Sequence, residues 1–156
     1  SLESLGHSLH QINVRVLAHA PCSVAILVDR GLGGTTQVSS SDVSYQIVVP
    51  FFGSRDDNEA LSYGVRMAEH PGIALKVIRF SGGVINSSAE VEDDLSILEN
   101  VKELSKKQAC VTYEELMAEG GGKVVEVLNS LSKCNLFVVG RKPPVNQLLA
   151  VTDCPE

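Results

Sequence analysis

Hydrophobic residues along this chain change their spacing several times, and each change predicts the start of a new element. Residues 46–51 are apolar and partly β-branched, which is typical of a strand buried on both faces. Turn-forming residues follow at 53–57. From Asn58 the apolar positions recur at steps of three and four residues, which indicates a helix that ends at Pro71. The pattern therefore predicts a strand, a tight turn and a helix.

The same two spacings alternate through the rest of the chain. Further strands are predicted at residues 73–80, 109–116 and 135–140, with helices at 90–108 and from Gly122 to Leu131 between them. Strands joined by helices run parallel, and their crossovers are right-handed. The sequence thus predicts an α/β fold: a doubly wound, mainly parallel, Rossmann-like sheet with helices on both faces.

The chain before this α/β pattern carries a further helix and strand. An apolar stripe at steps of three and four runs from Leu2 to Val16, and Pro21 closes the helix. Residues 24–28 are entirely apolar and predict a strand. We expect four segments packed as one compact domain: a helix and strand at 1–30, a Gly/Ser/Thr-rich linker at 31–44, the α/β unit at 45–141, and an irregular tail at 142–156.

Composition excludes several classes of function. A net charge of −6 over 156 residues, with 4% aromatic residues and no Trp, argues against nucleic-acid binding. The four cysteines are isolated from one another and from histidine, so no metal site is expected and the thiols are expected to be reduced. No apolar run approaches the roughly 20 residues of a membrane span, so direct membrane insertion is not expected.

The chain has no signal peptide and no initiator Met, and we expect it to be a piece of a longer protein. No nucleophile and base can be paired from spacing, so no enzyme is predicted. Asp56 and Asp57 at the predicted helix start are interpreted as an N-cap and an acid favoured by the helix dipole, rather than as catalytic carboxylates.

The turn after residues 46–51 is nevertheless where α/β proteins bind ligands, because helix N-terminal N–H groups point into the crevice at that edge. Two short pairs of residues are candidates for a small anion site there: Gly53 and Ser54, and Gly140 and Arg141. The simpler interpretation is a pair of turn glycines beside a solvated arginine.

Three stretches resemble the cytosolic C-terminal region of plant cation/proton exchangers, the CHX family of the monovalent cation:proton antiporter-2 superfamily. They read NVRVLAHAPCSVAILVDRGLGG (residues 13–34), IVVPFFGSRDDNEALSYGVRMAEHPG (47–72) and SKCNLFVVGRKPP (132–144). The resemblance implies a membrane transport domain followed by two universal-stress-protein-like units. Residues 1–30 would then hold the last helix and strand of the first unit, and residues 45–141 most of the second.

Universal stress proteins that bind ATP use an Asp near the end of the first strand and a glycine run after the fourth. Here Phe52 stands at the position of that Asp, and Pro143 and Pro144 follow Gly140 where glycine N–H groups would be needed. No cofactor is therefore expected. The alternative, a nucleotide- or small-molecule-binding module of the universal stress type, stays open.

The resemblance implies a function for the whole region. It is that of a cytosolic regulatory domain of a K+ (or Na+)/H+ antiporter, on the cytosolic face of the plasma membrane or an endomembrane, serving monovalent cation and pH homeostasis. The expected partners are the transport domain of the same protein and a second copy, paired through a sheet edge strand. Histidine titrates near cytosolic pH, so the candidates for pH sensing are His7, His10, His19 and His70; the simpler interpretation is four exposed surface histidines.

Overall fold

The structure of the chain, a computed structural model, describes residues 2–28, 45–82, 91–131 and 133–141. It has two compact units, residues 1–35 and residues 36–156. Among the described residues of the first unit, the regular element is one helix, α1 (Leu2–His19). The second unit alternates strands and helices in this order: β1 (Tyr45–Phe51), α2 (Arg55–Met67), β2 (Ile73–Ser81), α3 (Val91–Lys107), β3 (Val111–Met117), α4 (Gly121–Ser130) and β4 (Leu136–Phe137).

The four strands form one parallel sheet in the order β3-β2-β1-β4. This confirms the predicted parallel α/β arrangement, with β1 between β2 and β4. The β1–β2 and β2–β3 ladders each join seven residue pairs, whereas the β1–β4 ladder joins only two, Ile47 with Leu136 and Val48 with Phe137. One edge of the sheet is therefore held by a much shorter ladder than the rest.

Side chains that alternate along β1 enter two separate hydrophobic clusters. Ile47, Val49 and Phe51 pack with buried residues of α2 and α3, whereas Val48 packs with Val124 of α4 on the other side of the sheet. Both sides of β1 are buried, which explains its unbroken apolar sequence. The predicted helices on both faces of the sheet are confirmed.

One predicted strand is wrong and another is too long. Residues 24–28 form no strand, and all five are exposed, with Val28 at 70%. An apolar run becomes a strand only where a neighbour accepts and donates its backbone hydrogen bonds. The strand predicted at 135–140 shortens to Leu136–Phe137. The predicted linker (31–44) and the predicted tail (142–156) lie entirely outside the described residues.

Gly64 of α2 lies so close to the sheet that a Cβ there would come within 2.8 Å of Val49 Cγ2 and 3.2 Å of Leu75 Cδ1. We expect Gly64→Ala to lower the free energy of unfolding by about 1 kcal/mol, because overpacking costs roughly 1–3 kcal/mol and outweighs the gain in helix propensity. The matched control is Gly122→Ala in α4, where a Cβ would meet no atom within 4 Å. That variant should be neutral or slightly more stable in chemical denaturation. Equal effects of the two substitutions would contradict the close packing of α2.

Candidate functional site

The crevice at the carboxyl end of β1 is built by the turn that leads into α2. Gly53 has a φ of +95°, a left-handed conformation that favours glycine. Ser54 is the N-cap of α2, and its Oγ accepts a hydrogen bond from the N–H of Asp57 at 3.1 Å. The Asp57 side chain accepts from the N–H of Ser54 in return, which completes a capping box. The turn is thus fixed by its own side chains.

The carboxylate of Asp57 occupies the centre of this crevice, and the residue is 2% exposed. Its Oδ2 accepts from the N–H of Phe52 at 3.1 Å and from the N–H of Ser54 at 2.9 Å. The N–H of Gly140, which follows β4, also donates to the carboxylate. Backbone N–H groups at a helix start are the donors that a bound anion uses. Here all three already have an acceptor from the chain itself.

The close approach of Gly140 to α2 depends on the absence of a side chain. A Cβ at this position would lie 2.7 Å from the backbone nitrogen of Asp57 and would also collide with Asp57 Oδ1. Only glycine therefore fits between the end of β4 and the first turn of α2. The segment after β4 and the turn after β1 are brought together at this one contact.

Burial raises the pKa of the Asp57 carboxyl above its ordinary value of 3.8, and the N–H donors of Ser54, Phe52 and Gly140 offset only part of that rise. The folded chain therefore holds this proton more tightly than the unfolded chain does. By linkage, the stability that comes from this titration is fully present below pH 3.8 and is lost as the pH rises through the folded-state pKa.

Two aromatic rings stack beside this turn. Phe52 stacks on Phe80, with ring centroids 5.3 Å apart and an interplanar angle of 13°. Phe80 is 4% exposed and belongs to the cluster under α4, against which Phe52 also packs. Position 52 is where the resemblance predicts an Asp in an ATP-binding protein. The structure places a stacked apolar ring there instead, and a ring of this kind cannot accept hydrogen bonds from a ribose or a base as a carboxylate does.

The four residues predicted as an anion site divide into two groups. The N–H groups of Ser54 and Gly140 meet at one point, and both donate to Asp57. Gly53 forms the turn, and Arg141 is exposed. The small-anion site stays a prediction, with two of its predicted donors engaged within the chain.

Two features were not predicted from the sequence: the role of Asp57 as a shared hydrogen-bond acceptor, and the stacking partner of Phe52. The spacing of Ser54 and Asp57, three residues apart before a helix, is the signature of a capping box and was available in the sequence. Nothing local identifies Phe80 as the partner of Phe52, because the two rings meet only through the pairing of β1 with β2.

The four histidines are exposed. His7 lies 3.5 Å from Gln11 through their Nε2 atoms, and His10 and His19 lie on the same helix, α1. His70 Nδ1 accepts a hydrogen bond from the N–H of Gly72 at 3.1 Å, which requires that nitrogen to be unprotonated. A pH-sensing role for these residues stays a prediction.

Within the described residues, no three His, Cys, Asp or Glu side chains are placed to hold a metal ion together. The thiols of Cys22, Cys110 and Cys134 are free. Burial raises the pKa of the Cys134 thiol, which disfavours the nucleophilic thiolate. Of the helices in the described part of the chain, none combines the length and apolar character that a membrane crossing requires.

Two family models match the chain. The model described as "Plant cation/H(+) antiporter, C-terminal domain" matches residues 44–153, and that described as "Plant cation/H(+) antiporter domain" matches residues 1–32. Cation/H(+) antiporter 19 of Arabidopsis thaliana is 46% identical, with 100% of this chain and 21% of the relative aligned. Cation/H(+) antiporter 18 of the same plant is 41% identical, with 100% and 22% aligned. The chain thus spans about a fifth of the length of these relatives.

A solved structure also matches the chain, the universal stress protein UspA from Lactobacillus plantarum. It is 15% identical, with a TM-score of 0.43, and the match covers 65% of this chain and 80% of that one.

We expect titration of the chain with ATP, AMP or a cyclic nucleotide to release no binding heat in isothermal calorimetry. The physical reason is that the Asp57 carboxylate already accepts from the N–H groups that a phosphate would use, and a stacked phenylalanine stands where a nucleotide binder carries its Asp. A nucleotide-binding universal stress protein, titrated under the same conditions, is the positive control. Saturable heat with a micromolar Kd would show that these side chains move aside and would support the nucleotide-binding alternative.

Proposed function

This chain belongs to the family of plant cation/H+ antiporter C-terminal domains, and we propose that it is the cytosolic regulatory and interaction domain of an antiporter that exchanges K+ or Na+ for H+. The relatives are named as antiporters, which are transporters rather than enzymes. In this proposal the domain carries no ion and performs no chemistry. It contacts other parts of the transporter and thereby biases exchange in monovalent cation and pH homeostasis.

The observation that carries the proposal is the crevice filled by the chain's own groups. Asp57 accepts from the N–H donors of the turn, and the stacked Phe52 ring stands where a nucleotide binder carries its Asp. Among the described residues, the chain's own groups therefore occupy the positions at the carboxyl edge of the sheet from which a small effector would be held. Its remaining means of influencing transport is contact through its surface.

The transport domain of the same protein is the proposed first partner. The relatives are about five times longer than this chain, so most of each antiporter lies outside the matched region. Free thiols at Cys22, Cys110 and Cys134 are typical of a reducing compartment, which supports the cytosolic face of the membrane. Whether that membrane is the plasma membrane or an endomembrane does not alter the proposed contact.

Deleting residues 45–156 from the full-length antiporter should leave ion exchange measurable but change its rate or its dependence on pH. The reason is that the deletion removes a bias on transport and leaves the transport domain itself. Exchange of K+ and of Na+ for H+ is measured in membrane vesicles across a pH series. Samples are matched for antiporter abundance, so that lost expression is not mistaken for lost regulation. The same rates and pH response as the intact protein would contradict the proposal.

The two edges of the sheet differ in how they oppose pairing with another sheet. On β3, Glu114 and Glu115 are exposed, with Lys76 Nζ 3.1 Å from Glu114 and Lys102 Nζ 3.2 Å from Glu115. Charged side chains on an edge strand deter edge-to-edge pairing. The same network includes the Tyr113 hydroxyl, which donates to Glu115 at 2.6 Å; burial first, and then this bond, raise the pKa of Tyr113 to about 12.

The β4 edge lacks such protection among the described residues. Phe137 is 41% exposed and Val139 is 59% exposed, whereas the alternating residues Leu136 and Val138 pack against the cluster under α2 and α3. An apolar, uncharged edge next to a short ladder is the kind of surface on which a second strand adds. We propose that two copies of the domain pair through β4.

A charge on the β4 edge should weaken this dimer. We expect Phe137→Glu to raise the dimer Kd at least about tenfold, since a central apolar contact is lost and like charges meet across the interface. The matched control is Met117→Glu on β3, which places the same charge at a side chain that is 79% exposed on the other edge. Sedimentation velocity over a concentration series gives both values. A monomeric parent chain, or equal effects of the two substitutions, would contradict pairing through β4.

A further inference from the structure

The last strand of the sheet is joined to β1 by few hydrogen bonds. Asn135 donates its N–H to the carbonyl of Gln46 at 2.9 Å and accepts from the N–H of Gln46 through its side chain at 2.7 Å. Val138 donates its N–H to the carbonyl of Val48 at 3.0 Å. These contacts secure the amino end and the middle of the segment. They leave Gly140, at its carboxyl end, beyond the ladder.

Gly140 is secured by a different kind of contact. Its N–H donates to Asp57, a residue of α2 that is 83 positions earlier in the sequence, and its missing side chain lets the backbone lie against that residue. The same carboxylate accepts from Phe52 and Ser54. One buried group therefore joins three segments: the end of β1, the turn into α2, and the end of the β4 segment.

We propose that Asp57 is a positioning residue whose carboxylate holds the end of the β4 segment on the β1–α2 turn, in place of a bound small anion. A charged acceptor shared by three N–H donors makes stronger hydrogen bonds than a neutral carbonyl does. Without it, the N–H of buried Ser54 and the N–H groups of half-buried Phe52 and Gly140 lose their acceptor within the chain. The segment after Val138 then has no other hydrogen-bonded attachment among the contacts described above, and it opens locally.

The test is amide hydrogen exchange by NMR on the chain carrying Asp57→Ala. We expect exchange at Gly140 to become roughly tenfold faster or more, with a smaller rise at Val138, while amides of Val77 and Ile78 in β2 keep their rates. Formate has the size of the deleted carboxyl group, so sodium formate should restore slow exchange at Gly140. Sodium chloride at the same ionic strength should not.

Two further variants serve as controls. Asp57→Asn keeps the shape of the side chain and one acceptor oxygen, so its rise in exchange should be smaller, and formate should not reverse it because no space is vacated. Glu126→Ala removes an exposed carboxylate from α4 and should leave exchange at Gly140 unchanged, which separates the loss of the Asp57 hydrogen bonds from a simple change in net charge.

Each outcome decides the matter. Unchanged exchange at Gly140 in Asp57→Ala, a uniform rise over the whole sheet, or a local rise that formate does not reverse would overturn the proposal. If Asp57→Ala does not fold, the local or uniform character of the rise in Asp57→Asn decides instead. The measurement is made at concentrations where the chain is monomeric, so the result does not depend on the proposed pairing through β4 or on any effect on transport.

Discussion

The carboxylate of Asp57 accepts hydrogen bonds from three backbone N–H groups that belong to different parts of the chain. Burying a charge is costly unless it is hydrogen-bonded, and leaving one buried and two half-buried N–H groups without an acceptor is costly as well. Each requirement is met by the other. The turn into α2, the capping box with Ser54 and the position of Gly140 follow from that one arrangement.

The same arrangement bears on how the domain works. In an α/β protein that binds a ligand at this crevice, part of the local order is supplied by the ligand and changes with its concentration. In this chain the acceptor is covalently attached and its effective concentration is constant. The ring of Phe52, stacked on Phe80, offers no hydrogen-bond acceptor beside it. The regulatory role proposed above would then be exerted through contacts at the surface, where the β3 edge is charged and the β4 edge is apolar.

Much of the fold could be predicted from the sequence, because strands and helices each produce a local pattern of apolar residues. The unbroken apolar run of β1 predicted burial on both faces, and the alternation of strands with helices predicted the parallel sheet. The site was readable only in part. The Ser54–Asp57 spacing predicts a capping box, but the third donor, Gly140, arrives through the sheet and leaves no local signal.

Residues 24–28 show the opposite limit, since an apolar, β-branched run specifies a strand only together with a partner.

The fit of Gly140 against Asp57 also has an evolutionary consequence. A side chain at position 140 would collide with the carboxylate and with the backbone of Asp57. Loss of the carboxylate would leave the N–H of residue 140 without this acceptor. Neither position can drift alone without a loss of stability. The dependence is unequal: a lineage that loses the carboxylate still needs glycine at position 140, because a Cβ there would lie 2.7 Å from the backbone nitrogen of Asp57 and 2.9 Å from the carbonyl carbon of Asp56.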